Sequence, residues 1–428
     1  MERLTRAASA AIAIAATLSG GYTVTSLAAN ALAKDINAAA AAAPAQSPED
    51  YLQWRGPHRD GSVSGFKAPA TWPDALKQRW RVEVGEGYGT PLVSGRTVYV
   101  FTRQNGEEVM TALDAGSGKI RWRTGYAAPY TASAPAAKHG AGPKATPLLH
   151  DGRLHTLGVS GIVAAFDAEK GTLLWRTEPP SEAPFFGAAS SPLVEQGLIV
   201  VHPGNYGPLT AFDPKTGAVK WTAGGGGFFA SPIATTIDGT RQIITITQKA
   251  VIGVAPSDGA LLWEYPFDGA NGGPMPIVNG GTIIVSALNA GVTAFTPARR
   301  DGRWMTTTVW DTKDVGMYVS NPVVIGDTLF GLSHRSSGQF FALDAKSGKV
   351  LWLGAPREAA NTAIAKAGAL LFLLNDDGEL IVADSSRTAF SPLKRYTVSE
   401  SATWAQPAIS GQRLFIKDVS SLSLWTLD

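Results

Sequence analysis

Apolar and polar positions alternate in short runs along most of the chain, and turn residues bound each run. Thr97-Val98-Tyr99-Val100-Phe101 follows Ser94-Gly95-Arg96, and Thr328-Leu329-Phe330-Gly331-Leu332 follows Ile325-Gly326-Asp327. A period of two marks strands with one buried face. A second kind of run opens on a small or amide residue and then Pro. It occurs at Thr90-Pro91-Leu92-Val93, Thr146-Pro147-Leu148-Leu149, Ser191-Pro192-Leu193-Val194, Ser231-Pro232-Ile233, Asn321-Pro322-Val323-Val324 and Gln406-Pro407-Ala408-Ile409. Pro is tolerated at the first residue of a strand, so each run reads as the innermost strand of a repeated sheet.

A longer period is laid over the strands. Trp80, Trp122, Trp175, Trp221, Trp263, Trp310 and Trp352 recur, Tyr396 continues the series, and the steps are 42, 53, 46, 42, 47, 42 and 44 residues. Spacing of this length marks a propeller built one blade per repeat. Four repeats keep Asp eight residues before Trp and Gly four before it: Asp114-Gly118-Trp122, Asp167-Gly171-Trp175, Asp213-Gly217-Trp221 and Asp344-Gly348-Trp352. The Asp accepts backbone N–H bonds inside a hairpin turn, and the Gly supplies the positive φ that closes it. The Trp then stands on the next strand, placed to wedge between blades with its indole N–H on a backbone carbonyl. Two repeats drift: Ala255 replaces Asp before Trp263, and Thr296 to Gly302 stretches the turn before Trp310.

After Tyr396, 32 residues remain, enough for three strands, and 76–84 look like a Trp strand lacking its own repeat. Pairing the two ends closes the ring and removes open edges. The expectation is all-β, an eight-bladed propeller of four antiparallel strands per blade, with seven blades as runner-up. The domains read as 1–33 leader, 34–50 Ala/Pro linker, 51–75 clasp on the disc with Trp54 buried, and 76–428 propeller.

The Asp-x-x-x-Gly-x-x-x-Trp repeat resembles the pyrroloquinoline-quinone (PQQ)-like propeller repeat, over roughly 80–428. The resemblance implies the fold strongly and an activity weakly. That family includes quinoprotein dehydrogenases, which hold PQQ and Ca²⁺ in the channel. It also includes the non-enzymatic propeller lipoprotein of the outer-membrane β-barrel assembly machinery. The stretch Gln53 to Gly61 resembles the opening of a bacterial subgroup of such propellers.

Composition narrows the reading. With 37 basic and 35 acidic residues, the chain does not look like a nucleic-acid binder or a polybasic membrane anchor. Arg3 and Arg6, the apolar run Ala7 to Leu18 and Ala31-Leu32-Ala33 read as a secretory leader cut before Lys34, giving a periplasmic address. The chain has no Cys. It therefore departs from the Cys-anchored lipoprotein, and it lacks the adjacent-Cys disulfide and haem motif that accompany many quinoproteins.

Candidate chemistry belongs at the channel mouth. The strand starts bring Tyr88, Lys144, Phe186, Phe229, Tyr318, Asn361 and Trp404 there, with His139, Asn271, Asn321 and Arg335 within reach. Aromatic rings suit a flat guest, and Lys144 or Arg335 suits its carboxylates. The favoured expectation is that large residues plug the channel. Ca²⁺ wants carboxylate oxygens, and only Glu86 stands near the strand starts; no catalytic or metal residue is assigned. His150 and His155 flank a hairpin turn and read as solvent-exposed. The insert Gly125 to Pro143 reads equally as binding loop or disordered loop. The favoured function is a non-catalytic binding or scaffold protein with protein partners in the periplasm, needing no cofactor, with room for a small molecule in the channel. The alternatives are a PQQ- and Ca-dependent oxidoreductase and, more weakly, a carbohydrate- or polymer-binding propeller.

Overall fold

The structure is a computed structural model that describes residues 49–428 apart from 205, 228 and 269–272. The expected leader, nearly all of the linker, Phe228 and the channel candidate Asn271 lie outside the described residues.

Eight four-stranded antiparallel sheets form the ring. Blade 1 runs from Leu92–Ser94 to Ile120–Ala127, blade 2 from Leu148–His150 to Leu173–Arg176, and blade 3 from Leu193–Glu195 to Val219–Ala223. Blades 4 and 5 run from Ile233–Ile237 to Leu261–Pro266 and from Ile277–Asn279 to Arg303–Thr312. Blade 6 runs from Val323–Ile325 to Val350–Leu353, and blade 7 from Thr362–Ala367 to Ser391–Thr397. Blade 8 takes three strands from the C-terminus, and Lys77–Glu83 supplies the fourth by pairing with Ser421–Thr426. The ring closes as the strand count requires, with eight blades and not seven.

The repeat is an inter-blade joint. Asp114 Oδ1 accepts the N–H groups of Gly116 and Ser117 at 3.2 and 3.0 Å, and Asp213 Oδ1 those of Lys215 and Thr216 at 2.9 and 3.1 Å. The turn then meets the Trp of the preceding blade. Trp80, Trp175, Trp221, Trp310 and Trp352 donate to the carbonyls of Ala115, Pro214, Pro256, Ala345 and Ser386 at 2.9–3.1 Å. The turn Gly lies flat under the same ring: a Cβ on Gly348 would sit 2.5 Å from Trp310, and one on Gly217 2.6 Å from Trp175. Gly is thus fixed by the neighbouring blade as well as by its own φ.

Trp263 corrects the general rule. The next blade has no short Asp turn, because Gly291–Arg300 and Arg303–Thr312 form one long hairpin there. With that carbonyl missing, the Trp263 indole donates instead to Gln242 Oε1 in its own blade. Tyr396 differs for a similar reason. Blade 8 has a chain break where its turn would be, and the Tyr396 hydroxyl donates to Pro73 O at 2.9 Å.

A second set of bonds near the channel gives a task to four of the residues that precede a Pro. The N–H of Thr90 donates to Thr146 Oγ1, that of Thr146 to Ser191 Oγ and that of Ser191 to Ser231 Oγ, at 2.9–3.0 Å. Met275 N–H donates to Asn321 Oδ1 at 2.8 Å, and Thr362 N–H to Ser320 Oγ at 3.1 Å. Thr146, Ser191, Ser231 and Asn321, each just before a Pro, and Ser320, one residue further back, thereby satisfy a buried N–H of an adjacent blade.

The histidine expectation is wrong for His155. It is fully buried against the Trp175 ring, and burial pushes its pKa down to about 3, so it is neutral. Its strand lies second in its sheet, and its cross-strand partner is Leu148, not His150.

Candidate functional site

One end of the channel is crossed by 51–63. Tyr51 pairs by backbone with Val93 of blade 1, and Leu52 O accepts from Leu149 of blade 2. Arg59 donates to Pro192 O and Ser191 O of blade 3 at 2.8 and 3.1 Å. Arg55 donates to Pro322 O and Asn321 O of blade 6 at 2.5 and 3.4 Å. Val63 and Gly61 bond the backbone of Lys366 in blade 7, whose Nζ also meets Asp60 at 2.8 Å. The inner-strand starts offer carbonyls with no ladder partner, and the two guanidinium forks satisfy them. The expectation had Trp54 buried under a clasp on the disc. It is half-buried and faces the cavity, with Arg55 and Arg59 at 5.9 and 5.7 Å from its ring, and it is the two arginines that are 0% and 2% exposed. Burial lowers Arg55 to about 10 and Arg59 to about 9, the latter helped by the charge of Arg55, so both are cations at neutral pH.

Above Trp54 lies a cavity of about 550 Å³. The mouth is therefore not filled by the large residues expected to plug it, while 51–63 crosses the channel below. Tyr88, Lys144, Phe186, Phe229, Tyr318, Asn321, Asn361 and Trp404 all line it, as does His139. Arg335 does not; it sits on the short 3-10 turn Arg335–Ser337. The insert contributes the turn Ala134–His139, whose Pro135, Ala136, Lys138 and His139 form part of the wall. His139 meets Trp404 edge to face at 4.4 Å, and Phe186 meets Phe229 at 6.0 Å, so aromatic walls face each other across the mouth.

The polar groups are mostly committed. Asn321 Oδ1 accepts from Met275, and Asn361 Oδ1 accepts the Ser320 hydroxyl at 2.7 Å. Lys144 Nζ donates to Phe186 O, and burial lowers its pKa to about 8. Among the described lining residues there are lysines and a histidine but no Asp or Glu. Glu86 lies outside the cavity, with its backbone bridged to Arg103. A Ca²⁺ ion takes six to eight oxygens, usually with carboxylates among them. The donors here do not fit a Ca²⁺–quinone pair, since acids are missing and the amide oxygens hold neighbouring blades together.

Lys144 yields a pH prediction. Its folded pKa lies below its unfolded one, so the burial penalty is full below about pH 8 and gone above the unfolded value near 10.5. Stability contributed at this site rises across that window. In urea titrations from pH 7.5 to 10.5, Lys144→Met should remove part of that rise; an unchanged slope would show that Lys144 is not buried as a cation.

A family model described as outer membrane protein assembly factor BamB matches residues 74–138 and 106–353. The chain belongs to the BamB-like PQQ propeller family. BamB of Shewanella oneidensis is 24% identical over 314 residues, which cover 71% of this chain and 67% of that protein. Among solved structures, BamB from Moraxella catarrhalis superposes with a TM-score of 0.60 at 14% identity, over 82% of this chain and 98% of that one. The quinohemoprotein alcohol dehydrogenase from Comamonas testosteroni gives 0.62 at 14% identity, over 92% and 82%. The two structural likenesses concern the propeller alone.

Proposed function

We propose that this BamB-like propeller is an exported, non-catalytic binding protein of the periplasm that works by docking protein partners on its blades. One observation carries the reading: the described channel lining has no carboxylate to serve as a base or to hold a divalent cation. The leader-like residues 1–33 and the likeness to outer membrane protein assembly factors support an envelope address. The aromatic walls beside Lys144 leave room for a small guest or a polymer end, which is compatible with a binding role.

Periplasmic crosslinking followed by denaturing purification tests the proposal. The expected result is a small set of protein adducts of reproducible mass. Absence of adducts, together with turnover of an alcohol or sugar by the purified protein with an artificial electron acceptor, would overturn it.

A further inference from the structure

Every blade ends in an outermost strand with one unpaired edge, and such edges invite pairing unless something blocks it. Seven of the eight carry a charge beside their Trp or Tyr, as in Arg79 and Arg81, Arg121 and Arg123, Lys220, Asp311, or Lys394 and Arg395. The blade 6 strand Val350–Leu353 is only four residues long. The strand of blade 5, Arg303–Thr312, has ten residues, and Trp304-Met305-Thr306-Thr307-Thr308-Val309-Trp310 contains no charge, Pro or Gly. Between Arg303 and Asp311 the strand is thus a seven-residue uncharged run rich in β-branched and aromatic residues, the composition that pairs most readily with another strand.

The geometry presents this edge. The strand before it, Gly291–Arg300, pairs with Thr282–Ala287 only as far as Phe295, so 296–300 and 303–307 project as a two-stranded ribbon. Blade 4 braces the ribbon. Arg299 N–H donates to Asp238 at 2.8 Å, the Thr308 and Tyr265 hydroxyls meet at 2.8 Å, and Tyr265 stacks on Phe295 at 3.9 Å. Met305 is 53% exposed. A bulge at Val309 interrupts the register, leaving Arg303–Thr308 as the regular stretch, about 20 Å long. The ribbon tip carries Arg299, Arg300 and Arg303 against the single acid Asp301.

We propose that the free edge of Arg303–Thr308 docks an extended segment of a partner polypeptide by main-chain pairing, with apolar side chains beside Met305 and acidic ones against Arg300 and Arg303. This rests on the scaffold reading above and names its docking edge. The excess of arginines at the tip selects an acidic partner segment over a neutral one.

The test uses a labelled eight-residue peptide alternating Val and Thr with two Glu at one end. Two further versions are N-methylated at alternate amides, one in each phase. In a strand, alternate N–H groups face opposite edges, so one phase should lose at least tenfold in affinity while the other keeps it. The surface variant Met305→Lys/Thr307→Lys should also lose at least tenfold, and Val219→Lys on blade 3 should not. Equal binding by both methylated phases, no binding of the parent peptide, or no effect of the double variant would overturn the proposal. In cells, a photocrosslinker replacing Met305 should give adducts with another protein. Adducts from Val219 or Leu261 but not from Met305 would sink the docking edge and spare the scaffold reading, and an adduct of twice the chain mass would assign the edge to a second copy. Adducts from none of the three would count against both readings.

Discussion

Arg59→Ala and Arg55→Ala should each destabilise the protein by about 3–5 kcal/mol, as removal of a buried charge that bonds otherwise unpaired groups does. Each substitution leaves carbonyls of the inner strands dry and unbonded: those of Ser191 and Pro192 for Arg59, those of Asn321 and Pro322 for Arg55. The two side chains reach blades on different parts of the ring, so the loss is one of closure as well as local bonding. Thermal unfolding should shift downward by on the order of 10 °C. His58→Ala, at an exposed position on the same segment, should change stability by less than about 0.5 kcal/mol. If the arginine variants melt with the parent protein, the segment is an ornament on the disc and the ring is closed by its strands alone.

The second large effect belongs to the turn glycines. Gly348→Ala places a Cβ 2.5 Å from the Trp310 ring in a residue whose φ is +73°. The left-handed backbone costs about 1–2 kcal/mol with a side chain, and forcing the ring aside costs about 1–3 kcal/mol more. Gly239→Ala separates the two contributions, because its φ is +70° with nothing within 4 Å. Chemical denaturation should show a loss of about 1–2 kcal/mol at Gly239 and about 2–5 kcal/mol at Gly348. Equal losses at the two sites would mean that the Trp–Gly contact between blades contributes nothing.

The fold was legible because its signals are local and repeated. The Asp turn lies within eight residues of its Trp, a Pro opens most innermost strands, both recur at each step of the Trp period, and the closing strand followed from counting. The channel candidates were legible for the same reason: once the strand starts were aligned, Tyr88, Lys144, Phe229, Tyr318 and Trp404 had to share one mouth. What could not be read was anything set by partners distant in sequence. Arg55 and Arg59 were not singled out, because buried arginines are rare and their carbonyl partners lie more than 130 residues away. The residue before Pro was visible as a pattern, but the task that Thr146, Ser191, Ser231 and Asn321 have in binding a neighbouring blade's N–H needs adjacent blades to be packed first. His155 looked exposed because a hairpin turn lies nearby; its place on the second strand of the sheet buries it. The long hairpin of blade 5 registered as a degraded repeat. Its ten-residue strands show a built ribbon where a staple turn would have stood.

Calorimetric titration of the purified protein with PQQ and excess Ca²⁺ tests the central claim most directly. The account predicts no heat beyond dilution up to high micromolar PQQ, because the cavity offers no acid to hold the ion. Stoichiometric, Ca²⁺-dependent binding that is lost in Lys144→Ala or Trp404→Ala would contradict it and make the channel a redox site.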